Sequence, residues 1–168
     1  ALTEGAAGVI AALFGLMNLF ARSLGGFLGD RFAVSSGLAG RVKWLVIIML
    51  AEGVALLLFS RMAILPLAVG AMILFSLCVQ MAEGATFSVV PFVNPRALGV
   101  VSGIVGAGGN VGAVLYAQFM LHSSAALEDC FYYFGFAVVI VGLFGLVVRF
   151  PAEREAERPG EELTRERI

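Results

Sequence analysis

The chain has 168 residues, 60% of them hydrophobic and only 14% charged, with a mean hydropathy of +0.98. Soluble domains carry about 25% charged residues, so an ordinary soluble fold is excluded. A net charge of −1 and a pI near 5.8 leave no basic footprint for nucleic acid.

Five apolar runs approach the roughly 20 residues needed to cross about 30 Å of hydrocarbon. They occupy residues 5–28, 44–60, 65–90, 97–121 and 130–148. An all-α membrane protein with five transmembrane helices is expected, in which residues 1–151 form the membrane-embedded part and residues 152–168 a charged cytoplasmic tail. The chain starts at Ala1 and its first run ends in glycines without a small-residue cleavage site, so it reads as a fragment and not as a signal peptide.

The first run carries Asn18 and Arg22, one turn apart on one helical face. A planar guanidinium offers two parallel donors to a planar oxyanion such as nitrate or a carboxylate, so this pair is a candidate anion site. The alternative is snorkelling, because Arg22 lies about 9 Å from the end of its run and its long stem could reach the headgroups. Residues 30–43 follow, with Gly37, Gly40 and three basic residues, and are expected to form a loop.

The second run is the shortest and carries Glu52 near its centre, with no evident partner. Arg61 marks the next break. In the third run Glu83 follows Gln80 by three residues and stands at a depth matching Arg22. Glu83 is either half of an interhelical ion pair or a carboxylate that takes up a proton during transport. Cys78 and Cys130 provide no disulfide framework and no CxxC metal pattern. Two prolines break the chain between the third and fourth runs.

Residues 99–112 read GVVSGIVGAGGNVG, with GxxxG spacings at Gly99 and Gly103 and at Gly108 and Gly112. So many glycines exceed one packing face and leave room for a small substrate, with Asn110 supplying the single amide; helix packing alone is the other reading. Gly106, Gly108 and Gly112 imitate a dinucleotide loop, but no βαβ unit surrounds them. Ser102 and His122 stand 20 residues apart, about 30 Å along one helix, and cannot form a hydrolase pair. No metal-ligand cluster is visible, so neither enzymatic activity nor a metal or other cofactor is expected.

Arg31, Arg41, Lys43, Arg96 and the five arginines from Arg149 onward fall on one side of the five crossings, and Arg61 alone falls on the other. Positive residues are retained in the cytoplasm, which puts the N-terminus outside and the C-terminus inside. The tail alternates Glu and Arg, with too few apolar residues to bury anything, and reads as solvated and partly helical.

At this point the sequence resembles the nitrate/nitrite porters of the major facilitator superfamily, especially the algal and plant high-affinity branch. Residues 18–31, NLFARSLGGFLGDR, resemble the end of the eighth helix and the superfamily's gating-loop motif, with Gly25, Gly26, Asp30 and Arg31 in order. Residues 83–93, EGATFSVVPFV, with RALG at 96–99, resemble the tenth helix and the loop after it, and GIVGAGGNVG at 103–112 resembles the glycine-rich nitrate motif of the eleventh. The segment FAVSSGLAGRVK after Arg31 departs from the compact basic continuation of the superfamily motif.

The resemblance implies helices eight to twelve of a twelve-helix fold that moves nitrate, and by extension nitrite, by alternating access, coupled as proton symport or as nitrate/nitrite exchange, with nitrate assimilation as its setting. It implies that Arg22 binds substrate and that Asn18, Gly106, Gly108, Gly109 and Asn110 line the same path. The implied partners are nitrate or nitrite, the lipid bilayer, the missing N-terminal half and a small accessory subunit, in the plasma membrane. Two other readings stay open: a major facilitator for another small organic anion, and a non-transporting membrane module or truncated product.

Overall fold

A straight helix of 57 residues would be about 85 Å long, far more than the roughly 30 Å of hydrocarbon in a bilayer. Glu4–Ser60 is such a stretch, and the chain solves the problem by bending it. In the computed structural model, which describes residues 4–150, this first helix, α1, is interrupted at Ser36 (φ −138°, ψ 15°) and Gly37 (φ 59°, ψ −143°). Gly37 is the one described residue with a positive φ, a conformation a side chain adopts only under strain.

The two arms of α1, residues 4–35 and 38–60, fold back on each other. The Trp44 indole Nε1 donates to the Gly25 carbonyl at 2.9 Å, and the Trp44 and Phe32 rings stack with centroids 5.2 Å apart. Arg41 on the second arm pairs with Asp30 on the first. Gly40 lies against the Phe32 carbonyl, where a side chain would have no room.

The expected loop at 30–43 is therefore corrected: helix continues to residue 35 and resumes at 38, leaving a two-residue corner. Charge and glycine are turn signals when a chain exits the membrane. Here the basic residues sit on helical arms, and Gly40 serves close packing. Gly37→Ala is expected to destabilise the corner by about 1–3 kcal/mol, read as a lowered melting temperature of the full-length protein in detergent. An unchanged melting temperature would show that the corner does not need its left-handed residue.

Three further helices follow: α2 (Leu65–Val89), α3 (Leu98–His122) and α4 (Leu127–Phe144). α2 opens with Pro66 in its first turn, where the missing N–H costs nothing, and gives way to short 3-10 turns at Val90–Phe92 and Pro95–Ala97. α4 begins with Glu128 and Asp129, which complement the positive end of the helix dipole. All four helices are long and apolar enough to cross a membrane. The charged segment at 152–168 lies outside the described residues.

The core joins both arms of α1 to α2 through Ala21, Ile48, Cys78, Met81, Ala82 and Ala85. A second cluster, Leu38, Val42, Val46 and Val89, closes the end near the corner. α4 packs against the second arm, where a Cβ on Gly53 would stand 3.1 Å from the Gly135 carbonyl oxygen. α3 has no buried residue. Leu19 and Phe20 are 69% and 71% exposed, an arrangement suited to lipid or protein partners and not to water.

Candidate functional site

The first arm of α1 and α2 touch backbone to backbone. A Cβ on Gly84 would collide with the Arg22 carbonyl, and one on Gly25 with the carbonyl of Met81. Without side chains there, the helices approach more closely than ordinary packing allows. This brings Arg22 and Glu83 into an ion pair and lays the Arg22 guanidinium 5.7 Å from the centroid of the Phe87 ring.

The pair is not sealed. The side chains of Arg22 and Glu83 are 45% and 41% exposed. A guanidinium carries five N–H donors, so a carboxylate along one edge leaves others for a second oxyanion. Asn18, one turn before Arg22, is exposed. Gln80, one turn before Glu83, is buried with its Oε1 unpartnered.

Deeper toward the corner, Asp30 and Arg41 form a second pair. Arg41 also donates to the Ser88 carbonyl at 3.3 Å and lies 4.8 Å from the centroid of the Phe92 ring. These residues, with Gly26, Gly84 and Pro91, line an open cleft of about 380 Å³. Gly25 and Gly26 lie in the first helical arm, as the first apolar run implied, and Asp30 and Arg31 belong to the same arm and not to the loop expected at 30–43. Gly25 is buried at the helix contact, Asp30 is held across the hairpin, and Arg31 is exposed. Sequence reasoning singled out Asp30 but missed Arg41, eleven residues on. The signal was an acid and a base on either side of a helix-breaking glycine.

The glycine run and Asn110 are on α3 and are all exposed. A Cβ at Gly99, Gly103, Gly106, Gly108, Gly109 or Gly112 would meet nothing within 4 Å. α3 packs chiefly against the turns at Val90–Phe92 and Pro95–Ala97, with Tyr116 stacked on Phe134 of α4 at 4.2 Å. Within this chain, then, Gly106, Gly108, Gly109 and Asn110 are not gathered around Arg22. The close contacts expected of their GxxxG spacings are made instead by Gly25, Gly84, Gly53 and Gly135.

At the opposite end of the bundle Arg61 pairs with Asp129 at 3.4 Å, its guanidinium 4.1 Å from the centroid of the Tyr132 ring. Glu52 is partly buried and makes no ion pair among the described residues. No group of three His, Cys, Asp or Glu among the described residues could hold a metal ion.

No family model matches the chain, and no solved structure matches it significantly. It is 48% identical over 145 residues to the High affinity nitrate transporter 2.5 of Arabidopsis thaliana, covering 86% of this chain and 28% of that protein. It is 36% identical over 152 residues to Nitrate transporter 2.2 of Chlamydomonas reinhardtii, covering 86% of this chain and 30% of the relative. The Nitrate/nitrite transporter NrtP of Picosynechococcus is 40% identical over 124 residues, 71% of this chain and 22% of that protein. The chain thus spans under a third of the length of these relatives, all of which are named transporters.

Proposed function

The chain belongs to the nitrate/nitrite porter family, and from that premise we propose that it is the C-terminal part of a secondary transporter moving nitrate, and by extension nitrite, by alternating access. The observation that carries this reading is the Arg22 guanidinium, which sits within a membrane span, is held on one side by Glu83 and is open on the other. Two oxygens of planar nitrate match two parallel N–H donors of a guanidinium, and the contact is charge-assisted. The Phe87 ring lies against the guanidinium and gives the site an apolar side.

In this reading α1 counts as two crossings because its arms fold back, giving five in all, and the five correspond to helices eight to twelve of a twelve-helix major facilitator fold. The N-terminus is then outside and the C-terminus in the cytoplasm, supported by the distribution of basic residues. The Asp30–Arg41 pair and its cleft lie at the cytoplasmic end. Substrate sites of such transporters lie between two halves, so Asn18 and the α3 segment with Gly106, Gly108, Gly109 and Asn110 face the part supplied by the rest of the protein. The proposal extends to the plasma membrane and to a small accessory subunit as a partner.

Purified full-length protein in proteoliposomes is the direct test. Nitrate on both sides should exchange across the membrane, and an inward proton gradient should drive net uptake. Flux of an organic anion without flux of nitrate would replace this reading with the organic-anion one. No anion flux at all would leave a non-transporting membrane module.

A further inference from the structure

The Arg22–Glu83 pair raises a problem of charge that the anion site must solve. The pair is neutral as it stands, so a nitrate added to it leaves one uncompensated negative charge inside the hydrocarbon, which is costly. Among the described residues Arg41 is committed to Asp30 and Arg61 to Asp129, while Arg31, Lys43 and Arg96 are exposed, Arg31 standing nine residues and about 14 Å along the arm from Arg22.

The groups around the pair offer no other compensation. Asn18 on the first arm and Gln80 and Phe87 on α2 are uncharged. From the second arm Trp44 faces this level, bonded to the Gly25 carbonyl. Glu52 lies eight residues beyond Trp44, about 12 Å toward the opposite end. Cys78, on α2, is buried in the core. α4 packs on the second arm, and its titratable groups Glu128, Asp129, Cys130, Tyr132 and Tyr133 belong to the end where Arg61 sits.

We propose that nitrate and the Glu83 carboxylate, each with its own edge of the guanidinium, compete for the single positive charge of Arg22, so that each anion bound is accompanied by one proton taken up on Glu83. The inference rests on the anion-site reading above and adds the coupling to it. The proton comes from water on the side to which the site is open and adds to a Glu83 carboxylate oxygen, while the bonds within nitrate are unchanged. The loaded site then holds one guanidinium, one anion and one neutral acid, with no net charge.

The pH dependence follows in sign. At low pH Glu83 carries its proton, Arg22 is released and the anion binds. As pH rises the carboxylate reclaims the guanidinium and affinity falls, by about tenfold per pH unit where one proton accompanies one anion.

Nitrate binding to the full-length protein, measured by calorimetry across a series of pH values, tests this. Wild-type affinity should fall as pH rises, whereas Glu83→Gln should bind with an affinity independent of pH and at alkaline pH about tenfold or more tighter than wild type. A role for Glu83 limited to holding α1 against α2 predicts the reverse, weaker binding in the variant at every pH. A wild-type pH slope in Glu83→Gln, or weaker binding there at alkaline pH, overturns the proposal. A second measurement needs no variant: at alkaline pH, where the free site carries no proton on Glu83, nitrate added to weakly buffered wild-type protein should remove about one proton from solution per anion bound, and binding there without proton uptake also overturns the proposal. Absence of nitrate binding to the wild type at every pH would instead refute the anion site itself.

Discussion

In the full-length protein, Arg22→Lys is expected to leave the fold in place and to weaken nitrate binding about ten- to a hundredfold. Lysine keeps the positive charge and can still meet Glu83 across the α1–α2 contact, so the interhelical pair survives. What it loses is the planar fork, because an ammonium is a point charge that cannot present two parallel donors to one flat anion. A hydrogen bond to a charged group contributes about 1.5–3 kcal/mol, and loss of one such contact accounts for the expected range. Equilibrium binding of nitrate to purified variant and wild type checks it. Wild-type affinity in Arg22→Lys would mean that Arg22 serves its salt bridge or the headgroups and does not hold the anion.

Gly84→Ala should do more damage with a smaller change. The added methyl would occupy the position of the Arg22 carbonyl, which is main chain and cannot rotate away. The two helices must separate, at a cost of about 1–3 kcal/mol, and the Arg22–Glu83 pair opens with them. Melting temperature and nitrate flux should fall together. Gly108→Ala is the counterpart on α3, where the same methyl meets open space within this chain. An effect of that substitution on flux therefore acts through the anion or through the rest of the protein. Equal melting temperatures for Gly84→Ala and wild type would refute the backbone contact.

Helices long and apolar enough to span, and the pairing of Arg22 with Glu83 between two of the runs, were legible because hydrocarbon imposes a length and a price on charge that a sequence shows directly. The corner at Ser36 and Gly37 was legible only as a broad break, since basic residues look the same on a helical arm as in a loop. The glycines that pack within this chain were not legible as such for a related reason. The dense run from Gly99 to Gly112 advertises close approach, yet the contacts fall at Gly25 and Gly84, which are isolated in sequence and meet because two distant segments share a register. Arg41 escaped notice because its partner lies across the corner, and pairing across a hairpin depends on where the corner is.

α3 is built from six glycines and buries none of its residues against the rest of the described molecule. In water each glycine would weaken a helix by about 1 kcal/mol relative to alanine, whereas in a bilayer an unpaired backbone is costlier still, so the segment stays helical. Because the shared core of α1, α2 and α4 closes without it, substitutions along the glycine face of α3 leave that core unaltered. Most proteins sit close above a stability threshold that purges variants. A helix that adds no buried residue to that core can change in sequence at little cost to it, and substitutions between related chains are expected to concentrate there.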